Sequence, residues 1–206
     1  MELTKAQLET LTELINIGYG RAASALSELT GRRINLDVPK VAVYFIDEIS
    51  RALHHVLSGE VASVHQVFSG PVSGNALLLL DHKAALMLNS LLLDTPMHPR
   101  RLQAAEREVL TEVGNIVLNA CLGVFGNLLQ VHVTFAVPRL DIDSVDGVMH
   151  SISVGSQELQ YALMVHTHFT VKDSTVRGYL VIILGITSFA RLIDQLDNWE
   201  KRQLAT

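Results

Sequence analysis

One cysteine, Cys121, in 206 residues excludes an internal disulfide and leaves no Cys pair for a metal centre or a redox exchange. Long apolar runs are also missing. The strongest, Tyr179 to Ile186, falls far short of the ~20 residues a spanning helix needs. Met1-Glu2-Leu3-Thr4-Lys5 lacks the basic-then-apolar layout of an export signal, so neither a membrane span nor secretion is expected, and a reducing cytoplasm is the expected compartment. Positive charge is in deficit, with 16 basic against 21 acidic side chains and a net charge of -5. That balance repels phosphate backbones and excludes nucleic acid as the expected partner. What the chain does have is apolar residues, 49% against 18% charged, enough for a sizeable packed core.

The length hides a repeat. Glu13-Leu-Ile-Asn16-Ile17 recurs as Glu112-Val-Gly-Asn115-Ile116, and Pro39 recurs as Pro138, all at one offset of 99 residues. Val72-Ser-Gly74 with its apolar run resembles Val176-Arg-Gly178 with its own, now offset by 104. The second copy therefore carries about five extra residues, expected in a loop within Arg139 to Ser156, which is rich in Asp, Gly and Ser. One domain built from two halves, about 1–95 and 103–206, is the expected organisation.

Each half reads as a long helix, several strands and a shorter helix. Thr4 to Leu29 opens on an N-cap candidate, Thr4, with Gln7 at the capping-box position, and closes at Gly31. Leu8, Leu11, Ile15, Ala22, Leu26 and Leu29 form its expected core stripe. Arg33 to Ile46 predicts a strand or two bent at Pro39; Val61 to Phe68 and Asn75 to Leu80 predict strands, and Lys83 to Leu93 a helix. Asp94 to Leu102, with Pro96 and Pro99, is the expected joint. The second half repeats the order: Ala104 to Leu129 helical, Val131 to Val137 a strand, Leu159 to Val171 and Arg177 to Leu184 strands, Ser188 to Trp199 a helix. The fold class is α/β (α+β), two pseudo-symmetric halves.

On the first long helix Glu9, Glu13 and Asn16 form one ridge that points away from the core stripe. Gly20, Ser24 and Ser27 lie on or near it, which keeps the surface low enough to admit another molecule. Glu108, Glu112, Asn115 and Asn119 occupy the equivalent places on the second helix. There Leu122 replaces Ala23, a bulk expected to tilt whatever docks. A carboxamide has both donor and acceptor and can orient a water, while a neighbouring Glu can clamp a cation. With no nucleophile of its own, such a pair would complete another protein's active site. Duplication of two polar residues on a wet face is the plain alternative.

These residues resemble the signature of the CheC/CheX/FliY phosphatases of bacterial chemotaxis: an Asp or Ser, three residues, Glu, two residues, Asn, then 22 residues and Pro. The pattern fits twice, as Glu13, Asn16, Pro39 and as Glu112, Asn115, Pro138, and the likeness is greatest to the CheC branch. The leading Asp or Ser is replaced by Glu9 and Glu108, which keeps the acidity on a longer arm. The resemblance implies dephosphorylation of a phosphorylated CheY-type receiver. Asn16 or Asn115 would hold water for in-line displacement at the aspartyl phosphate, and Glu13 or Glu112 would pair with the receiver's lysine. Glu9, Gly20, Glu108 and Asn119 would contact that partner. The chain would need no metal or cofactor of its own, because the magnesium ion belongs to the receiver. The resemblance also implies a monomer in place of a dimer, no extra FliY-type domain, and a CheD-type deamidase as a further partner. A CheC-like binder that only sequesters its phosphorylated receiver is the alternative function.

Other patterns fail on context. Gly18-Tyr-Gly20-Arg-Ala-Ala23 with Asp37 matches a dinucleotide fingerprint, yet the helical stripe runs through the place where a strand should precede it. His166 with His168, and His54 with His55, are too few for a zinc site. Asp141, Asp143, Asp146 and Gly147 imitate a calcium loop, but the twelfth position holds Ile152.

Overall fold

The computed structural model describes residues 3–97, 101–129, 132–153, 159–171 and 173–204. The first helix, α1 (Lys5–Thr30), starts on the Thr4–Gln7 capping box and stops at Gly31, whose φ of 64° is the left-handed turn glycine adopts most cheaply. Two short strands follow, β1 (Ile34–Leu36) and β2 (Lys40–Phe45), then a short helix α2 (Ile46–His54), the hairpin β3 (Val61–Ser69) and β4 (Gly74–Asp81), and α3 (His82–Leu93). The same order recurs as α4 (Ala104–Leu129), β5 (Thr134–Phe135), β6 (Arg139–Asp143), α5 (Val145–Ser153), the hairpin β7 (Leu159–Val171) and β8 (Ser174–Gly185), and α6 (Ile186–Leu204).

The eight strands of the described residues join one antiparallel sheet, with β8 and β4 adjacent at its centre. The outer strands cross over between halves. β1 and β2 pair with β7, while β5 and β6 pair with β3. Alternation along the strands splits the core in two. Ala76, Leu78, Leu80, Leu180, Ile182 and Leu184 face the layer of α1, α3, α4 and α6. Leu77, Leu79, Val181 and Ile183 face α2 and α5 with Ile49, Leu53, Val145 and Val148.

The two long helices meet at Gly18, where a Cβ would lie 3.0 Å from Cys121 Cα. On the sheet side, a Cβ on Gly114 would fall 2.5 Å from Val64 Cβ, so α4 rests directly on β3. By length and hydropathy Ala104–Asn127 could cross a membrane. Here half of its most apolar 18-residue window is buried against the rest of the protein.

Several sequence expectations change. Arg139 to Ser156 is not a loop over its described part, because Arg139–Asp143 is strand and Val145–Ser153 helix; residues 154–158 lie outside the described set. The register locates the extra residues elsewhere. Phe68 pairs with Gly74, and Thr167 pairs with Gly178. Phe68 and Thr167 are 99 apart whereas Gly74 and Gly178 are 104 apart, so the five residues lengthen the β7–β8 hairpin, which turns at Asp173 with φ 62°. Both strands of that extension carry β-branched side chains and alternate, which makes ladder more favourable than loop. The helices α2 and α5 escaped the sequence reading because each has only nine residues and starts within one residue of the end of a strand. Val131 to Val137 shrinks to Thr134–Phe135, and residue 131 is outside the described set, as are residues 98–100 of the joint. Leu29 is 60% exposed and leaves the stripe, while Leu14, Gly18 and Tyr19 join it.

Candidate functional site

Two matched helical ridges carry the polar residues. On α1 the buried positions from Leu11 onward are Leu11, Leu14, Ile15, Gly18, Tyr19, Ala22 and Leu26, spaced by three and four as a core-facing stripe requires. Leu110, Val113, Gly114, Val117, Leu118, Cys121 and Phe125 are their counterparts on α4 and are buried as well. That stripe turns Glu9, Glu13, Glu108 and Glu112 to solvent, and leaves Asn16 and Asn115 half-buried between the carboxylates and the core. Thr12 and Thr111, at equivalent places, each donate a hydroxyl to the carbonyl four residues back, Leu8 and Arg107.

The ridges differ in what surrounds the amide. On α4, Asn119 Nδ2 donates to Asn115 Oδ1 at 2.7 Å, and Asn115 Nδ2 lies 3.4 Å from Glu112 Oε2. On α1 the place of Asn119 is taken by Gly20, which is exposed, with nothing within 4 Å of the point where a Cβ would stand. Among the described residues no hydrogen bond reaches the Asn16 carboxamide. Glu9 pairs with Lys5 at 3.4 Å, both largely exposed, a contact of small energetic weight. Ser24 stays exposed, but Ser27 turns inward, accepting from Ile34 N at 2.9 Å and tying the end of α1 to β1. Leu122 is buried, lining a small apolar cavity with Phe68, Phe125 and Leu192. It therefore cannot tilt a docking partner, and any inequality between the ridges has another source.

Behind the ridges, Tyr19 shares a hydrogen bond with Thr167 inside the core. Burial pushes the Tyr19 phenol well above its usual pKa, helped by nearby Cys121. The Cys121 thiol is itself pushed up to about 12 by burial. Both groups stay neutral near pH 7, so the packed side of each helix offers no charge to the exposed side.

Comparison with known proteins now bears on this geometry. The model of the CheC-like family matches residues 7–43, the stretch that runs from the α1 cap through Asn16 and Pro39. The CheY-P phosphatase CheC of Bacillus subtilis is 25% identical over 84% of this chain and 81% of its own length. A CheC1 protein of Halobacterium salinarum is 21% identical over 92% and 96%. Over these lengths the chain is similar to the CheC-like family. Among solved structures, FliY of Thermotoga maritima has the same fold, with TM-score 0.76, 19% identity, and 96% of this chain and 99% of that one covered. The FliM middle domain of H. pylori has TM-score 0.65, with 15% identity and 94% and 99% covered.

In this CheC-like chain the rival motifs have plain structural places. Gly18 to Ala23 sits in the middle of α1, so no strand-to-helix turn exists there to cradle a pyrophosphate. Asp146 accepts from Ser50 at 2.8 Å and contacts His54 Nε2 at 2.9 Å, joining α5 to α2; these contacts hold its carboxyl below the usual range. His166 packs edge-on against Tyr179, and His168 Nδ1 lies 3.7 Å from Asp37 Oδ2. Among the described residues no three His, Cys, Asp or Glu side chains cluster closely enough to hold a metal ion.

Sequence reasoning missed two features. The Asn119–Asn115 contact was visible as an i, i+4 amide pair, yet reads from sequence only as another surface residue. The Tyr19–Thr167 pair, 148 residues apart, left no local signal.

Proposed function

We propose that this chain is a cytoplasmic phosphatase that removes the aspartyl phosphate of a CheY-type response regulator in chemotaxis. The observation that carries the reading is the twofold display of one Glu and one Asn, three residues apart, on exposed ridges of equivalent helices. The name of the Bacillus subtilis relative, CheY-P phosphatase, supports the same activity. Asn16 and Asn115 are the water-positioning groups. Each amide accepts a hydrogen from water and aims the oxygen at phosphorus; the P–O bond to the receiver's aspartate breaks as the new one forms, yielding free carboxylate and inorganic phosphate. Glu13 and Glu112 hold the receiver's lysine as ion pairs. Glu9, Gly20 and Glu108 border the docked receiver, whose own magnesium ion neutralises charge on the phosphoryl oxygens. Positioning of this kind needs no nucleophile from the chain and lowers the barrier by fixing geometry.

The halves 1–95 and 103–206 form one duplicated domain in this reading, acting as a monomer with two sites. A CheD-type deamidase is a further partner of the same assembly. The Asn16→Ala/Asn115→Ala variant is expected to lose at least ~100-fold in receiver dephosphorylation, the scale on which a water-orienting group contributes, with an unchanged circular dichroism spectrum. Phosphate release from a panel of phosphorylated receivers, with and without magnesium, measures it. Retained rate in the double variant would remove the amides from the mechanism. Retained receiver binding without hydrolysis by the parent would select the sequestering alternative.

A further inference from the structure

Both polar ends of Asn115 are engaged along its own helix, and those of Asn16 are not. Glu112 is an ionised acceptor, so the Asn115 amide nitrogen faces it, at 3.4 Å. The opposite end, Oδ1, must then receive a donor, and Asn119 Nδ2 supplies it at 2.7 Å. The order is fixed by charge, because reversing the Asn115 amide would set its oxygen against a carboxylate. Asn119 Oδ1 is meanwhile buried without a hydrogen-bond partner among the described residues. Burying an unpaired carbonyl costs stability, so folding economy does not explain this side chain.

We propose that Asn119 is a positioning residue that holds the Asn115 carboxamide in one rotamer, oxygen end directed by the Asn119 amide, and thereby makes the second site the faster of two unequal sites. This rests on the phosphatase reading given above and alters one part of it, since Asn119 then acts through Asn115 and not on the receiver. Asn115 keeps one lone pair on Oδ1 and one hydrogen on Nδ2 free for water. Asn16 must stop rotating each time a receiver docks, and immobilising one such side chain corresponds to a factor of about 2–10 in rate. The missing partner on α1 is a matter of residue type and not of space, because nothing lies within 4 Å of a Cβ at Gly20.

The test uses the full chain in two backgrounds, Asn16→Ala to isolate the second site and Asn115→Ala to isolate the first. In the first background Asn119→Ala is expected to lower kcat about 2–10-fold with KM unchanged. Asn119→Asp, which sets a carboxylate against the Asn115 oxygen, lowers it further. In the second background Gly20→Asn raises kcat. A rise in KM in place of the fall in kcat for Asn119→Ala assigns Asn119 to receiver contact and overturns the proposal, as does a kcat equal to its parent's in either background. A readout independent of turnover separates this from the phosphatase reading: three-bond couplings of the Asn115 side chain in the free protein. One rotamer in the parent and averaging in Asn119→Ala support the proposal, and averaging in the parent overturns it. If no phosphorylated receiver is hydrolysed, the phosphatase reading falls while the couplings still decide what Asn119 does.

Discussion

At the residue scale the two halves diverge where chemistry is finest. The places of Glu13, Asn16, Glu112 and Asn115 on the ridges were legible from helical spacing, because the apolar stripe at three- and four-residue intervals leaves these positions on its wetter flank. What surrounds them was not. The role of Leu122 read wrongly because periodicity assigns a helix its face only to within one residue, and one residue separates the ridge from the core at that position. Cys121 shows how strongly the packed face is insulated. An ordinary thiol titrates near ~8.5, so about a quarter would be thiolate at pH 8, whereas a pKa pushed up to about 12 leaves the group protonated through pH 9. With 1% of its surface exposed, attack needs unfolding. A disulfide reagent at pH 8 is expected to label Cys121 only as fast as the protein opens, and labelling at the rate of a free thiol would contradict this burial.

Among the elements, those with a long uniform period were readable and those created by context were not. α1, α3, α4 and β7 agree with their sequence limits to within a residue or two, since each carries one pattern from end to end. β1 and β5 exist because a strand from the other half offers them a ladder, which no local window contains. The contact of α4 with β3 is of the same kind. Gly114 lies inside the second motif, where a sequence reader sees only a poor helix former. Alanine there should gain about 1 kcal/mol of helix propensity. The overlap with Val64 outweighs that gain, because overpacking a tight core costs typically ~1–3 kcal/mol. Gly114→Ala is expected to lower stability by about 1 kcal/mol net in urea unfolding, and Val64→Ala in the same chain should make the substitution favourable. A stable single variant would mean that α4 can lift from the sheet without penalty.

The whole molecule is bound together by strand exchange. β2 completes β7 and β6 completes β3, so neither half holds a finished sheet. Pairing partners can be read from a sequence only when a turn joins them, as in the β3–β4 and β7–β8 hairpins. Calorimetry is expected to show a single transition with a calorimetric to van't Hoff enthalpy ratio of about 1. Two resolved transitions would mean that the halves unfold separately and that the crossed strands contribute little. The five residues added to the β7–β8 hairpin bear on this symmetry. They give β1 three paired residues, Ile34 to Leu36, against two for β5, while the bond just beyond each strand, Asp37 N to His168 O and Ala136 N to Val67 O, is common to both ends. Two ends that would otherwise be interchangeable thus become distinguishable, and a visitor long enough to span the sheet edge has one preferred way round.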